Sequence, residues 1–328
     1  MSPPFKITIP ISSLDLLKKR LELASRWKDG YDWRKHEKAL NEEMPQFTMD
    51  IAVEGHGVLN IYYVHKESAI PLLFVHGWPG SVIEARKILL LLTADEPGRP
   101  SFHIVALGLP GYGFSEGSKK KGFNVGHKLM QALGYNEYVT QGGDWGALIT
   151  RAMANEYGGK HIKAWHTNMP VGTPPPNDDP SSYDAEDLKS LERSKWFQEK
   201  GNGYFREHAT QPQTIGYSLT DSPVDLLAWI YEKLVVWTDA YPWDDDEVLT
   251  WISIYWFSRS SAAASVRTYY EGPKSWCNDL NIVFKSRHEH GGHFAAHERP
   301  AELVGNLRKM FGKCGPAYGV VPGKDGYA

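Results

Sequence analysis

Residues 138–158 read YVTQGGDWGALITRAMANEYG. A short β-prone run, Tyr138 to Thr140, meets a glycine pair, then Asp144, then Trp145 and Gly146, then a stretch of helical character. Strand, sharp turn and helix in that order make the setting of a nucleophile elbow, G-x-Nuc-x-G, here with aspartate where serine is usual. Gly142 and Gly146 meet its steric demand. The turn needs positive φ and close approach of strand to helix, and a Cβ obstructs both. A carboxylate nucleophile sets the chemistry: it attacks carbon and leaves an ester of the enzyme itself, which water must then cleave. Epoxides and alkyl halides offer a suitable electrophilic carbon. The simpler alternative is a solvated loop aspartate after a glycine turn.

The surrounding pattern supports a fold built for such an elbow. Residues 59–65 and 71–76 read as strands, the second a nearly continuous apolar run as in a strand buried on both faces. Residues 81–93 read as a helix, 102–107 as a strand, 125–133 as a short helix, 147–157 as the elbow helix and 162–167 as a strand. Alternation of this kind predicts a mostly parallel α/β sheet with helices on both faces. Residues 12–47 are charged and helix-like, with Trp27, Trp33 and Phe47 as anchors. Residues 171–180 break the pattern as a linker would, 182–271 look helical and aromatic like an inserted cap, 281–286 return to strand and 298–311 to helix. No internal repeat stands out.

Composition excludes more than it selects. With 328 residues and a net charge of −3, the chain can bury a large core and carries no electrostatic footprint for nucleic acid. Twelve Trp and 17 Tyr suit an aromatic-lined pocket, or simply a core. The first 20 residues hold no apolar signal-peptide core, and no apolar run approaches a membrane span. The two cysteines, Cys277 and Cys314, have neither metal-site nor disulfide-framework spacing. A cytoplasmic location is the expectation.

Three further motifs bear on chemistry. GFSEG at 113–117 also matches G-x-S-x-G, but Lys119 to Gly122 reads as exposed loop, so Ser115 lacks the following helix. FVHGWPGS at 74–81 ends an apolar strand in a tight turn. Backbone N–H groups of Trp78 and Trp145 would then form an oxyanion hole. Pro79 restrains that turn, and its peptide bond is open to the cis form. RHEHGGHFAAHE at 287–298 places His293 after a strand and two glycines, where a base follows the nucleophile in chain order. A rival reading makes His288, His290 and His293 a metal cluster. Gly292 stands where the H-x-H-x-[DN]-H pattern needs its carboxylate, so no metal or cofactor is expected.

HGWPGS, GLPGYGFSE, LGYNEYVTQGGDWG, ATQPQTIGYSLTDSPVDLLAWIYEKL and GGHFAAHERP together resemble epoxide hydrolases of the microsomal class, in the soluble fungal-type branch. WRKHEKALN followed by PQF is similar to that family's N-terminal region. The resemblance covers nearly the whole chain and implies an α/β-hydrolase fold with a helical cap. It divides the chain into an N-terminal helical region (1–50), a first part of the core (51–170), the cap (171–271) and a C-terminal part of the core (272–328). It implies Asp144 as nucleophile, His293 as the base that activates water, and Tyr204 and Tyr269 as cap tyrosines that hydrogen-bond the epoxide oxygen. Tyrosine, with an ordinary pKa near ~10, stays protonated at neutral pH and can donate to an alkoxide. On residues alone each tyrosine reads as a core aromatic, and Tyr270 is the one-residue alternative to Tyr269. The implied partners are a small epoxide and water, with no nucleic acid and no membrane span, and a homodimer as the assembly.

The chain also departs from the family. Its N-terminal helices and the helix between Phe123 and Met130 are abbreviated. After Glu271 the family places a strand whose following loop carries a third catalytic acid, yet only EGPKSWCNDL precedes NIVF here. The sheet is therefore expected to lack the strand before the C-terminal histidine strand. No acid is assigned. Asp279, Glu271, Asp178 and Asp179 are the nearby carboxylates, and Asn168, after the preceding strand, is not ionisable. Two alternatives stand beside epoxide hydrolysis: a haloalkane dehalogenase, using Trp145 N–H for halide, and a catalytically impaired or dead member of the family.

Overall fold

The computed structural model describes residues 22–67, 69–118, 125–170, 179, 181, 183–272 and 281–327. Helix α1 (Trp33–Glu43) starts at Asp32, whose side chain accepts the Arg34 and Lys35 N–H groups. Then come β1 (Gln46–Val53), β2 (Gly57–Lys66) and β3 (Ile70–Val75). A short 3₁₀ turn (Val82–Ala85) leads into α2 (Arg86–Thr93), followed by β4 (Phe102–Leu107) and α3 (Val125–Ala132). Strand β5 (Tyr138–Gly142), α4 (Trp145–Tyr157) and β6 (Ile162–Thr167) complete the alternation.

The six strands form one sheet in the order β1-β2-β4-β3-β5-β6. Strands β4, β3, β5 and β6 run parallel, while β2 pairs antiparallel with both β1 and β4. All six residues of β3 and all five of β5 are buried, as strands covered on both faces must be. The uninterrupted apolar run of β3 is the sequence trace of that burial, while β5 buries Thr140 and Gln141 as well as its apolar residues.

The cap follows as α5 (Ala185–Trp196), a π-helical turn (Phe197–Gly201), α6 (Gly203–Thr210), α7 (Pro212–Asp221), α8 (Pro223–Val236), α9 (Asp245–Trp256), α10 (Ala262–Val266) and α11 (Thr268–Glu271). Helices α12 (Ala295–Glu298) and α13 (Pro300–Phe311) end the fold. Helix α9 closes on the core by donating its Trp251 indole N–H to the Pro79 carbonyl at 2.6 Å. Glu247, also on α9, accepts from Lys87 of α2 at 3.0 Å and meets His297 of α12 at 2.8 Å.

Two expectations need correction. Residues 46–53 are a strand paired along its whole length with β2, not the end of a helical region. Phe47 therefore stands on an edge strand, 47% exposed and stacked on Tyr63, while Trp27 and Trp33 do pack against the core. Residues 281–286 are not a strand; Ile282 and Val283 are 67% and 54% exposed. The physical reason is pairing. Among the described residues no strand lies beyond β6, so NIVF has no neighbour with which to share backbone hydrogen bonds. Among the described residues the sheet thus lacks the histidine strand, and the strand expected to be missing before it would fall on residues 273–280, outside the described residues. The preceding tract 273–280, with Cys277 and Asp279, lies outside the described residues, as do 171–178 with Asp178 and the lysines at 119–121.

Candidate active site

Parallel pairing of β3 with β5, with Val75 opposite Gly142, brings two loops side by side at the C-terminal ends of the strands. One is His76-Gly77-Trp78-Pro79-Gly80; the other is Gly143-Asp144-Trp145. Asp144 sits at φ 48° and ψ −128°, a conformation non-glycine residues rarely adopt. The surroundings enforce it. A Cβ on Gly142 would meet the Gly146 carbonyl carbon at 2.4 Å, and one on Gly146 would meet the Val75 oxygen at 1.8 Å. Only glycines at both positions let helix and strands approach closely enough to make the turn.

The Trp78 N–H donates to Asp144 Oδ1 at 2.7 Å, and the Trp145 N–H also faces the carboxylate. Burial raises the Asp144 pKa, while His293 and the two N–H groups oppose the shift. Carboxylate and donors are held by a fixed turn. His76 is buried, with Nδ1 2.9 Å from the Gly77 oxygen and Nε2 accepting the Leu109 N–H at 3.2 Å. Burial lowers its pKa to about 4, so the ring is neutral, as that bonding pattern requires. The Trp78–Pro79 bond is cis. Trp251 and the Tyr255 hydroxyl hold the carbonyls of Pro79 and Gly80 from above.

His293 approaches from the C-terminal segment, its Nε2 3.9 Å from Asp144 Oδ2. Its backbone N–H donates to the Trp237 carbonyl at 2.7 Å, and its ring lies 4.7 Å from Trp237 and 4.8 Å from Phe294. Glu298 secures the loop from behind by accepting the Phe294 and Asp239 N–H groups, each at 3.1 Å. Burial lowers the His293 pKa, against the pull of Asp144.

Tyr204 of α6 and Tyr269 of α11 come together over this pair, their rings perpendicular and 5.7 Å apart. The Trp78 indole stacks on Tyr204 at 5.3 Å and meets Tyr269 edge-on at 5.8 Å, with Trp145 5.0 Å from Tyr269. The Tyr269 hydroxyl is buried without a well-formed hydrogen bond, and the Trp145 and Tyr204 side chains are the polar groups that face it. A buried donor short of a good partner is costly, and a ligand oxygen is one way to satisfy it. Burial pushes both phenols further up, so both stay protonated. Tyr270, the one-residue alternative, points away and is 41% exposed. Tyr112 donates to the Ser265 carbonyl at 3.2 Å and bonds Thr268 at 3.1 Å, fixing the segment that carries Tyr269.

The other sequence candidates fall elsewhere. Ser115 is buried, donating to the Gly108 carbonyl at 2.7 Å and accepting the Tyr62 N–H at 3.0 Å. It therefore tapes a loop to β2. His290 pairs with Asp239 at 3.1 Å and His288 with Asn306 at 3.1 Å, and among the described residues no three His, Cys, Asp or Glu side chains form a metal-sized group. Glu271 is bound to Arg267 at 2.6 Å, and Asp179 accepts the Ser181 N–H at 2.9 Å. Asn168 accepts from Gln141 at 2.9 Å. Among the described residues the only carboxylate within 4.0 Å of a His293 ring nitrogen is that of Asp144.

Sequence reading missed two buried carboxyls, Glu84 and Glu298. Glu84 lies in SVIEA, where one charge among buried apolar neighbours was the available signal. With Asp144, His293, Gln141 and Asn168 it lines a small enclosed cavity of about 10 Å³.

The family description "Epoxide hydrolase N terminus" matches residues 18–85, and "alpha/beta hydrolase fold" matches residues 70–220. The chain is similar to the structure of an Aspergillus niger epoxide hydrolase, with TM-score 0.76 and 32% identity over 94% of this chain and 95% of that one. It is similar to the juvenile hormone epoxide hydrolase of the silkworm Bombyx mori, with TM-score 0.74 and 29% identity over 93% and 92% of the two chains. Epoxide hydrolase 1 of Sus scrofa is 31% identical over 373 residues, covering 89% of this chain and 79% of the pig protein. That alignment is longer than the 328 residues of this chain, so the relative carries internal segments that are absent here. With this likeness along nearly its whole length, on an α/β-hydrolase fold, the chain belongs to the epoxide hydrolase family.

Proposed function

We propose that the chain hydrolyses a small epoxide to a vicinal diol through a covalent ester on Asp144. One observation carries this reading: the Asp144 carboxylate is divided between two surroundings. Oδ1 accepts the Trp78 N–H at 2.7 Å, and Oδ2 lies 3.9 Å from His293 Nε2. Oδ2 attacks a ring carbon, the C–O bond opens, and Tyr204 or Tyr269 gives its proton to the departing oxygen. Water then adds to Cγ of the ester while His293 takes one of its protons. Negative charge collects on Oδ1, where the Trp78 and Trp145 N–H groups already point. Collapse expels the diol oxygen. The two protons of the water end on that oxygen and on the tyrosinate, and the carboxylate is restored. The steps close on side chains and water alone.

A departing halide needs no proton, so the paired tyrosines, with the Tyr269 hydroxyl buried and short of a well-formed hydrogen bond, favour an epoxide over a haloalkane. The test uses His293→Gln with racemic styrene oxide, followed by intact-protein and peptide mass spectrometry. The expected result is the epoxide's mass on the peptide containing Asp144. Adduct elsewhere, or none, overturns the reading. Chloride release from a chloroalkane without diol formation from styrene oxide would establish the dehalogenase instead.

A further inference from the structure

We infer that Glu84 is a positioning residue for the second half-reaction, holding with Gln141 the water that His293 drives onto the Asp144 ester. The inference rests on the proposed ester mechanism. It supplies a carboxyl to a site in which no acid stands behind His293 among the described residues.

Several independent observations meet at this carboxyl. Glu84 sits in the 3₁₀ turn Val82–Ala85, all of whose residues are buried. Its Oε1 is packed so tightly against the oxyanion turn that a Cβ on Gly80 would lie 1.7 Å away. The Gly77 N–H faces the carboxyl from the same turn, one residue from the Trp78 N–H that holds Asp144. Among the described residues no Lys, Arg or His nitrogen lies within 4.0 Å to compensate a charge. Burial, reinforced by the Asp144 charge, pushes the Glu84 pKa well up, so the group keeps its proton and can donate.

The cavity that Glu84 shares with Asp144 and His293 encloses about 10 Å³, the space of one water. Its walls are polar enough to hold one. Gln141 Oε1 is buried with no hydrogen-bond partner, while the Gln141 amide is spent on Asn168. A water there would find donors and acceptors on Glu84, Gln141 and His293, which suffices for an ordered site. The water oxygen bonds Cγ, the carbonyl electron pair moves to Oδ1, and the proton goes to His293. Glu84 itself gains and loses nothing, which is why it positions rather than reacts.

The competing role is structural: a carboxyl kept only to brace the Gly77 N–H. The two roles separate by step. A brace on the oxyanion turn serves both ester formation and ester cleavage, whereas a water holder serves only cleavage. Glu84→Leu, Glu84→Gln and Glu84→Asp are compared with the parent in single-turnover reactions with styrene oxide, reading the ester by intact mass. For Glu84→Leu, ester formation should stay within about threefold of the parent while cleavage slows by ~10-fold or more, the scale of a misplaced reactant. Glu84→Gln keeps a donor and an acceptor in place and should cleave within about threefold of the parent. Parental cleavage in Glu84→Leu, or equal loss of both steps, overturns the inference. If Glu84→Leu fails to fold, Glu84→Asp decides: selective slowing of cleavage supports the inference and parental cleavage overturns it. Absence of any Asp144 adduct in His293→Gln would defeat the ester mechanism itself, and this inference with it.

Discussion

Gly146→Ala probes the elbow directly. The new Cβ would lie 1.8 Å from the Val75 carbonyl oxygen, 2.6 Å from its carbon and 2.9 Å from the His76 oxygen. An ordinary C···O contact is about 3.3 Å, so helix α4 and strand β3 must part by about 1.5 Å. None of the three atoms belongs to a side chain that could rotate away, and β3 is paired on both sides. Overpacking of this kind costs about 1–3 kcal/mol. For 328 residues, at ~2.1 cal/mol/K of unfolding entropy per residue, that lowers Tm by roughly 1.5–4.5 °C. The chemical cost should be larger, because the same shift moves Asp144 away from the Trp78 N–H and from His293. A displacement near 1 Å costs about 100-fold in rate. Gly305→Ala is the internal control. Gly305 lies mid-way along α13 with nothing within 4 Å of a built Cβ, so alanine should stabilise by about 0.4–1 kcal/mol and leave the chemistry alone. Calorimetry and single-turnover ester formation with styrene oxide report both quantities. Parental Tm and parental ester formation in Gly146→Ala would refute the reasoning that close approach at this glycine builds the site.

Either Tyr204→Phe or Tyr269→Phe should slow ester formation, and the double variant should nearly abolish it, since donors to a developing charge contribute about 2.7–4 kcal/mol each; unchanged formation in the double variant removes the tyrosines from the mechanism. Glu247, held by His297, Lys87 and Tyr241, has its pKa lowered from 4.5 to about 2, so its contribution to stability is present above pH 4.5 and lost as pH falls toward 2. Glu247→Gln should therefore lower Tm at pH 7, with the difference shrinking across that window; a pH-independent difference would place its role in packing. Ester cleavage should persist to lower pH than an ordinary imidazole allows, because burial lowers the His293 pKa; a rate that falls off above the usual imidazole range counts against His293 as base. Inserting the strand-and-acid block of a longer relative after Glu271 should raise both turnover and Tm, read by diol formation and calorimetry, and no gain in either would mean that the shortened sheet is already complete in function.

Much of this protein was legible in its sequence because the signals were local. The run PLLFV predicts a strand covered on both faces, and β3 is one. GGDWG carries its own steric instruction, since two glycines around one acid suit a turn that no side chain at those positions permits. HGWPG and GGHF are short, backbone-dominated segments, and the structure brings Trp78, Asp144 and His293 within hydrogen-bond and ion-pair range of one another.

What failed to be legible depended on partners distant in the chain. NIVFKS has the composition of a strand, but a strand exists only where a neighbour offers its backbone, and the sheet among the described residues stops at β6. QFTMDIAV reads as the end of a helical region because its own residues carry no sign of the pairing with β2 across a turn that makes it a strand. Glu84 gave only the faint signal of one charge among apolar residues. Its place beside Asp144 follows from the folding of a 3₁₀ turn against Gly77 and Gly80, and no spacing in the sequence encodes that. Sequence by itself determined the turn that carries Asp144, the α/β alternation and the helical segment 185–271, because local sterics and burial patterns suffice for each. Tertiary structure decided which strands exist, which carboxyls share the cavity and which tyrosine of a neighbouring pair faces inward, because each of those is settled by a contact between segments far apart in the chain.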